Sequence, residues 1–215
     1  MLLQETSAMD ERRGLLSHID GEVRALCESG RFDDATTLTI RGYGPAVLGY
    51  LRVLHDDDDA ADVFSAFAER LWRAFPSFQW RCALQTWVYL IARRESLRFR
   101  KRGAHQLRRE PNVELEKLPA HLRTETASIL HTEKRKRLLA LRDELAREDQ
   151  ELLVLRLDRR MSWADVAMTL LDDPDADTET LRRESARLRK RFQALKERLV
   201  TLGREKGFLP SPDDE

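Results

Sequence analysis

The stretch Ser162-Trp-Ala-Asp-Val-Ala-Met-Thr-Leu-Leu171, followed by Asp172-Asp-Pro-Asp-Ala-Asp177 and by Leu181-Arg-Arg-Glu-Ser-Ala-Arg-Leu-Arg-Lys-Arg-Phe192, decides how this chain folds. Ser162 suits a helix N-cap, and Asp165 stands at the third position of a capping-box-like pattern. Trp163, Val166, Ala167 and Leu170 then recur at i, i+3, i+4 and i+7, which makes one buried helix face. An acidic turn comes next, with Pro174 to break the helix. Beyond it Leu181, Leu188, Phe192, Leu195, Leu199 and Leu202 fall in one narrow arc of a long helix. Arg182, Arg183, Arg187, Arg189, Lys190 and Gln193 occupy the opposite arc. The segment therefore reads as a short helix, a turn and a long helix with one apolar seam and one guanidinium-rich face.

The same periodicity runs outward to both ends. Residues 10–40 read as helical, with Leu15, Leu16, Ile19, Val23 and Leu26 at helical spacing and Gly30 as a stop. Gly44-Pro45 fits the start of a helix reaching Leu54. Asp59 to Phe75 is a strong helix ended by Pro76, and Gln85 to Arg102 is another. Gly103, Pro111 and Pro119 mark residues 103–133 as a linker. Helices are expected near 134–147, 149–160 and 162–171, and from about 178 to 205. Only nine Gly and seven Pro occur in 215 residues. The expected fold is all-α, with two helical domains, the second a helix-turn-helix. The divisions are an N-terminal extension (1–40), a first domain (41–102), the linker (103–133), a second domain (134–205) and a flexible tail (206–215).

Charge sharpens the picture. Lys plus Arg and Asp plus Glu both total 38, so net charge is zero, and charged residues make up 35%. With so much charge, two small cores are expected rather than one large one. The zero is a sum of opposed blocks. Asp56–Asp62 and Asp172–Glu179 each carry five acids and no base, whereas Arg81–Glu110 and Leu181–Val200 are strongly basic. With 41% apolar residues a core is available, so full disorder is excluded, as are collagen and disulfide scaffolds. No apolar run reaches the length of a membrane span, and the N-terminus lacks a signal-peptide pattern. Cys27 and Cys82 have no metal-like spacing and read as half-buried reduced thiols of a cytoplasmic protein.

Two further surfaces stand out in the first half. Phe75-Pro-Ser-Phe78-Gln-Trp80-Arg81 is a loop dense in aromatics, and it leads into Leu84-Gln-Thr-Trp87-Val-Tyr89-Leu-Ile-Ala-Arg93-Arg94. Leu84, Trp87, Val88, Leu90, Ile91 and Leu97 make a broad apolar arc, leaving Tyr89, Arg93, Ser96 and Arg100 as a narrow wet strip. Rings beside arginines suit unstacked bases and their phosphates, although an aromatic core with a basic rim gives the same pattern. On the preceding helix Val63, Phe64, Phe67 and Leu71 point inward. Asp62, Ser65, Ala66, Glu69 and Arg73 share the outer face, where small Ser65 and Ala66 would let another helix approach. The basic face at 182–193 suits a phosphate-lined groove, because Arg grips phosphate and guanine edges through its planar fork.

In this order the pieces resemble a bacterial sigma factor of the extracytoplasmic-function type, over roughly 31–102 and 134–202. Tyr43-Gly-Pro…Leu48-Gly-Tyr-Leu51 is similar to the family's opening helix. Asp59-Ala-Ala-Asp62-Val-Phe…Leu71-Trp72 is similar to the helix that grips core RNA polymerase. Phe78…Trp80-Arg81…Thr86-Trp87-Val-Tyr89-Leu-Ile-Ala-Arg93 resembles the segment that melts and reads the −10 element. Met161-Ser-Trp163-Ala-Asp-Val-Ala167 and Arg187-Leu-Arg-Lys-Arg-Phe192 resemble the reader of the −35 element. Two departures are visible: Ser65-Ala66 stands where many members carry Gln-Glu, and Asp172–Asp177 lengthens the turn.

The resemblance implies a promoter-specificity subunit that is not an enzyme and has no cofactor or metal. Its partners would be core RNA polymerase and promoter DNA, with room for an anti-sigma inhibitor. Polymerase would dock on Asp62, Ser65, Ala66, Glu69, Trp72 and Arg73. Phe78, Trp80, Arg81, Thr86, Trp87, Tyr89, Arg93 and Arg100 would meet the −10 region. Arg182, Arg183, Arg187, Arg189, Lys190 and Gln193 would meet the −35 region. A stand-alone helix-turn-helix regulator is the alternative, and it would have no use for the Phe78–Tyr89 rings. Asp58-Asp59-Ala-Ala-Asp62 also fits the Mg²⁺-diphosphate motif of helical prenyl synthases. Those enzymes need a larger bundle and a second such motif, which Pro174 spoils. Asp173, Asp175, Asp177, Glu179 and Glu184 fall at calcium-loop positions, but Thr178 replaces the turn glycine.

Overall fold

The computed structural model describes residue 16 and residues 18–103 and 140–209, and among them the chain is helical with no strand. The labelled helices are α1 (18–28), α2 (Phe32–Leu54), α3 (Asp57–Ala74), α4 (Leu84–Gly103), α5 (Arg147–Leu153), α6 (Trp163–Leu171) and α7 (Thr178–Glu205), and residues 140–143 are helical as well. A 3₁₀ turn, Phe75–Ser77, follows α3, and α5 runs on into a π-helical turn, Val154–Asp158. The all-α expectation holds for these residues. The linker expected over 103–133 lies outside them except for Gly103, and so does the start of the helix expected near 134–147.

Local chemistry explains the helix ends. Asp56 caps α3 by accepting from the Asp59 N–H at 2.9 Å, and Asp177 caps α7 from Thr180 N–H at the same distance. Ser162 caps α6 from Asp165 N–H at 3.1 Å, as its sequence position predicts. Gly30 follows α1 at φ +74°, a left-handed conformation that glycine adopts without a Cβ penalty. One boundary differs from expectation. Gly44-Pro45 does not start a helix, because α2 runs through both residues. Pro45 removes one backbone donor, but Tyr43, Val47, Tyr50 and Leu51 around it are all buried. That burial holds the helix together across the proline. Residue 40, the expected end of the extension, consequently lies mid-helix.

The core also differs from expectation. In place of two small cores, one contiguous cluster contains Val47, Leu51, Phe67 and Val88 from the first half and Leu152, Leu155, Val166 and Leu188 from the second. Each such side chain contributes about 1.5–3 kcal/mol on burial. Helix α4 lies at the centre, against α2 and α3 on one side and α6 on the other. The N-terminal segment joins this core through Ile19 and Val23, and the Tyr43 hydroxyl donates to Asp20 at 2.7 Å. Leu145, Leu153 and Leu195 form a small satellite cluster beneath α7. After α7, residues 206–209 turn back, with the Phe208 N–H donating to the Gly203 carbonyl at 2.7 Å. The rest of the expected tail lies outside the described residues.

His55, just after α2, supplies a pH-dependent element. Its Nε2 shares a 2.7 Å hydrogen bond with Ser96 Oγ, and its ring meets Phe99 edge-on at 5.6 Å. Burial, with Arg147 and Arg100 nearby, pushes its pKa down to about 4. The folded chain therefore holds the ring neutral where the unfolded chain protonates it. This contribution to stability is complete above about pH 6.5 and is lost as pH falls from there towards 4. Urea midpoints measured at pH 7.5 and pH 5 are expected to drop more in the parent than in His55→Gln. Equal drops in both would show that the ring does not couple to folding.

Candidate nucleic-acid and polymerase interface

The outer face of α3 is set by the burial of Val63, Phe64, Phe67 and Leu71 on its inner side. Asp62, Ser65 and Ala66 are half-buried, and Glu69, Trp72 and Arg73 are exposed. Trp72 is 51% exposed, unusual for so large an apolar ring, and its indole N–H donates to Asp33 at 2.6 Å. Glu69 and Arg73 pair at 2.6 Å one helical turn apart. Ser65 Oγ donates to its own helix at the Ala61 carbonyl. All six expected polymerase-facing residues thus lie along one helix and keep at least partial access to solvent.

The aromatic loop is largely satisfied by itself. Phe78 stacks on Trp87 with centroids 4.1 Å apart and also touches Trp80 at 4.7 Å. Phe75 meets Trp87 edge-on at 5.0 Å. Trp80 sits at φ +56°, a strained conformation for a bulky residue, and Arg24 lies over its ring at 5.5 Å.

Helix α4 corrects the expected wet strip. Tyr89 is 0% exposed, Ser96 1% and Thr86 1%, and Arg93 is mostly covered. Tyr89 packs edge-on against Tyr50 at 5.4 Å. Tyr50 and His55 cover Tyr89 and Ser96, and the second half of the chain covers Arg93 and Thr86, none of which a helical wheel of α4 alone can reveal. Glu151 of α5 accepts from the Tyr50 hydroxyl at 2.5 Å and from Arg93 Nε at 3.0 Å. Burial, and then the Glu151 carboxylate, hold the Tyr50 hydroxyl protonated far above its usual range. Asp165 of α6 accepts from Thr86 Oγ1 at 2.8 Å, and the Arg159 carbonyl accepts from Gln85 at 3.0 Å. Asp172 takes Arg94, and Asp175 takes Arg81, each at 2.5 Å. Arg100 stays partly accessible.

On α7 the expected residues lie as the periodicity predicts. Arg182, Arg183, Arg187, Arg189, Lys190 and Gln193 are exposed, while Ser185, Leu188 and Leu195 face the core. Ser185 Oγ donates to the Trp163 carbonyl at 3.1 Å, and Trp163 meets Phe192 edge-on, which locks α7 on α6. Arg182 pairs with Glu179 and Arg187 with Glu184, both at 2.7 Å within the helix. Beside this face, grooves are lined by Arg156, Arg160, Trp163, Arg189, Gln193 and Lys196, with Arg156 stacked over Trp163 at 4.7 Å. Arg94, Arg156, Arg160 and Lys196 were not among the expected residues. Arg94 sits next to an expected arginine in sequence, but nothing local marks Arg156 and Arg160, which reach the groove only through the fold.

The acidic motifs disperse rather than converge. Asp56 caps α3, Asp57 pairs with Arg52, Asp172 takes Arg94 of α4, Asp173 accepts from the Asp175 N–H, Asp175 takes Arg81 and Asp177 caps α7. Among the described residues no group of three or more His, Cys, Asp or Glu could hold a metal ion. Cys27 and Cys82 are both free and half-buried. No described helix is long and apolar enough to cross a membrane.

Comparison with known families adds one finding. Residues 39–106 match the family model of Sigma-70 region 2, covering about a third of the chain from the middle of α2 to just past α4. The match is to one region of the sigma-70 family and concerns that segment alone. No curated protein and no solved structure matches the chain.

Proposed function

We propose that this chain is an extracytoplasmic-function type sigma factor that binds core RNA polymerase and directs promoter recognition and melting. The observation that carries the reading is the Sigma-70 region 2 match over the segment that holds the α3 face, the aromatic loop and α4. In this reading α3 docks on polymerase through Asp62, Ser65, Ala66, Glu69, Trp72 and Arg73. Phe78, Trp80 and Trp87 with Arg81 and Arg100 meet the opened −10 strand, while the expected Arg93 contact is dropped because Glu151 holds that side chain. Helices α6 and α7 act as a helix-turn-helix whose basic face enters the major groove at −35. The protein works in the cytoplasm, beside polymerase and DNA. An anti-sigma inhibitor is a partner compatible with this reading.

The test is gel filtration with purified bacterial core polymerase. Stoichiometric comigration is expected, and Asp62→Arg is expected to weaken it at least tenfold by placing a like or unpaired charge in the interface. Comigration that survives the variant would keep the function and move the docking face. No comigration at micromolar concentration would sink the sigma reading in favour of a regulator that binds duplex DNA alone.

A further inference from the structure

Four polar side chains on or just before α4 point towards the second half of the chain, and each meets a carboxylate there. Arg81 meets Asp175, Thr86 meets Asp165, Arg93 meets Glu151 and Arg94 meets Asp172. Arg94 is held most fully, since its Nε reaches the Asp172 carboxylate while its NH2 donates to the Asp172 carbonyl at 3.0 Å. Two donors of one guanidinium on neighbouring oxygens is the geometry that a phosphate would otherwise satisfy. Asp172 reaches this position through a left-handed backbone, φ +60°, which aspartate tolerates well.

The four contacts differ in accessibility. Glu151 is only 6% exposed and stands next to Leu152 of the shared core. The Arg94–Asp172 and Arg81–Asp175 pairs stay open to solvent, so salt and competing anions reach them. Both belong to the acidic turn 172–177, which contains four Asp and no base.

We propose that this turn is a built-in substitute for nucleic-acid phosphate, which occupies Arg81 and Arg94 in the free protein and surrenders them when DNA competes. The proposal rests on the reading of α4 as the DNA-facing helix. It gives the acidic insertion a role: it shields α4 from indiscriminate anion binding, while the α7 arginines remain exposed. Of the bases in the 81–110 block, the turn takes Arg81 and Arg94.

Cys82 reports on the turn directly. It sits beside Arg81, and burial first, then Asp165 of α6 and Asp175 of the turn, pushes its thiol up to about 11, which makes it a poor nucleophile. The test uses the full chain as Asp172→Asn/Asp175→Asn, with Asp57→Asn/Asp58→Asn as a control of equal charge change. Asn keeps the left-handed backbone available at 172, and a thermal melt verifies the fold. Two quantities are measured: the rate of Cys82 alkylation by iodoacetamide, resolved from Cys27 by peptide mass, and anisotropy of a labelled 20-nucleotide single strand. The expected result is several-fold faster Cys82 labelling and about tenfold tighter binding of the strand, in the turn variant and not in the control. Unchanged labelling would overturn the proposal and leave the reading of α4 intact. Faster labelling without tighter binding would overturn it by showing that α4 is not a DNA surface. Equal gains in the control would overturn it as a general charge effect.

Discussion

Replacing Glu151 with alanine lowers the stability of the chain by about 3–5 kcal/mol, the range for removing one partner of a buried ion pair. Glu151 accepts from two donors on the other half, the Tyr50 hydroxyl and Arg93 Nε, through the same carboxylate oxygen. Without it the Arg93 charge stays largely covered and unpaired, and the Tyr50 hydroxyl loses its acceptor in a fully buried setting. At this chain length the loss corresponds to a melting temperature lower by roughly 10 °C. Tyr50→Phe removes only one neutral donor and costs about 1 kcal/mol. The pair Arg93→Met/Glu151→Leu removes both charges together and returns to within about 2 kcal/mol of the parent. Urea unfolding of the three variants checks the ordering. An alanine variant within about 1 kcal/mol of the parent would mean that water reaches the site and the halves are not held there.

On the proposed function, Arg187→Ala/Arg189→Ala/Lys190→Ala is expected to reduce capture of promoter duplex by the polymerase-bound chain on the order of a hundredfold and to make it less salt-dependent. For every phosphate left without its cationic side chain, the slope of log K against log salt is expected to fall by about 0.9. These side chains are exposed on α7 and face away from the core, so their removal leaves the fold intact. Fluorescence anisotropy of duplex binding at several salt concentrations measures both numbers. A loss of affinity at unchanged slope would assign these residues to base edges or to packing instead of phosphates. Trp163 tests the neighbouring groove by a different route. Arg156 and Arg189 lie 4.7 and 5.9 Å from the centre of its ring, which also meets Phe192 edge-on, so it positions arginines that line the groove.

Much of the fold was legible because helices announce themselves locally. The Ser162 cap, the stop at Gly30 and the apolar seam of Leu188 and Leu195 all follow from the sequence within a turn or two of the residue concerned. The α7 basic face was legible for the same reason. The α4 face was not. Its periodicity separates Tyr89, Arg93 and Ser96 from the apolar arc, and in an isolated helix such a strip is wet. Here Tyr50 covers Tyr89, His55 meets Ser96 and Glu151 takes Arg93, and all three partners lie far away in the sequence. Gly44-Pro45 misled in the other direction, because a local breaker was outweighed by buried neighbours.

The residues alone determined that the chain is helical, where most of its helices begin and end, and that its charge is sorted into opposed blocks. Periodicity and capping act over three or four residues, and composition needs no geometry at all. The tertiary structure alone decided which acidic block meets which basic one, and that the two halves share a core. It also decided that the acidic turn 172–177 sits on Arg81 and Arg94. Electrostatic attraction specifies no partner by itself, since any carboxylate suits any guanidinium. The pairing was selected by the apolar surfaces of α2, α4, α5 and α6, whose burial brings those particular charges within reach.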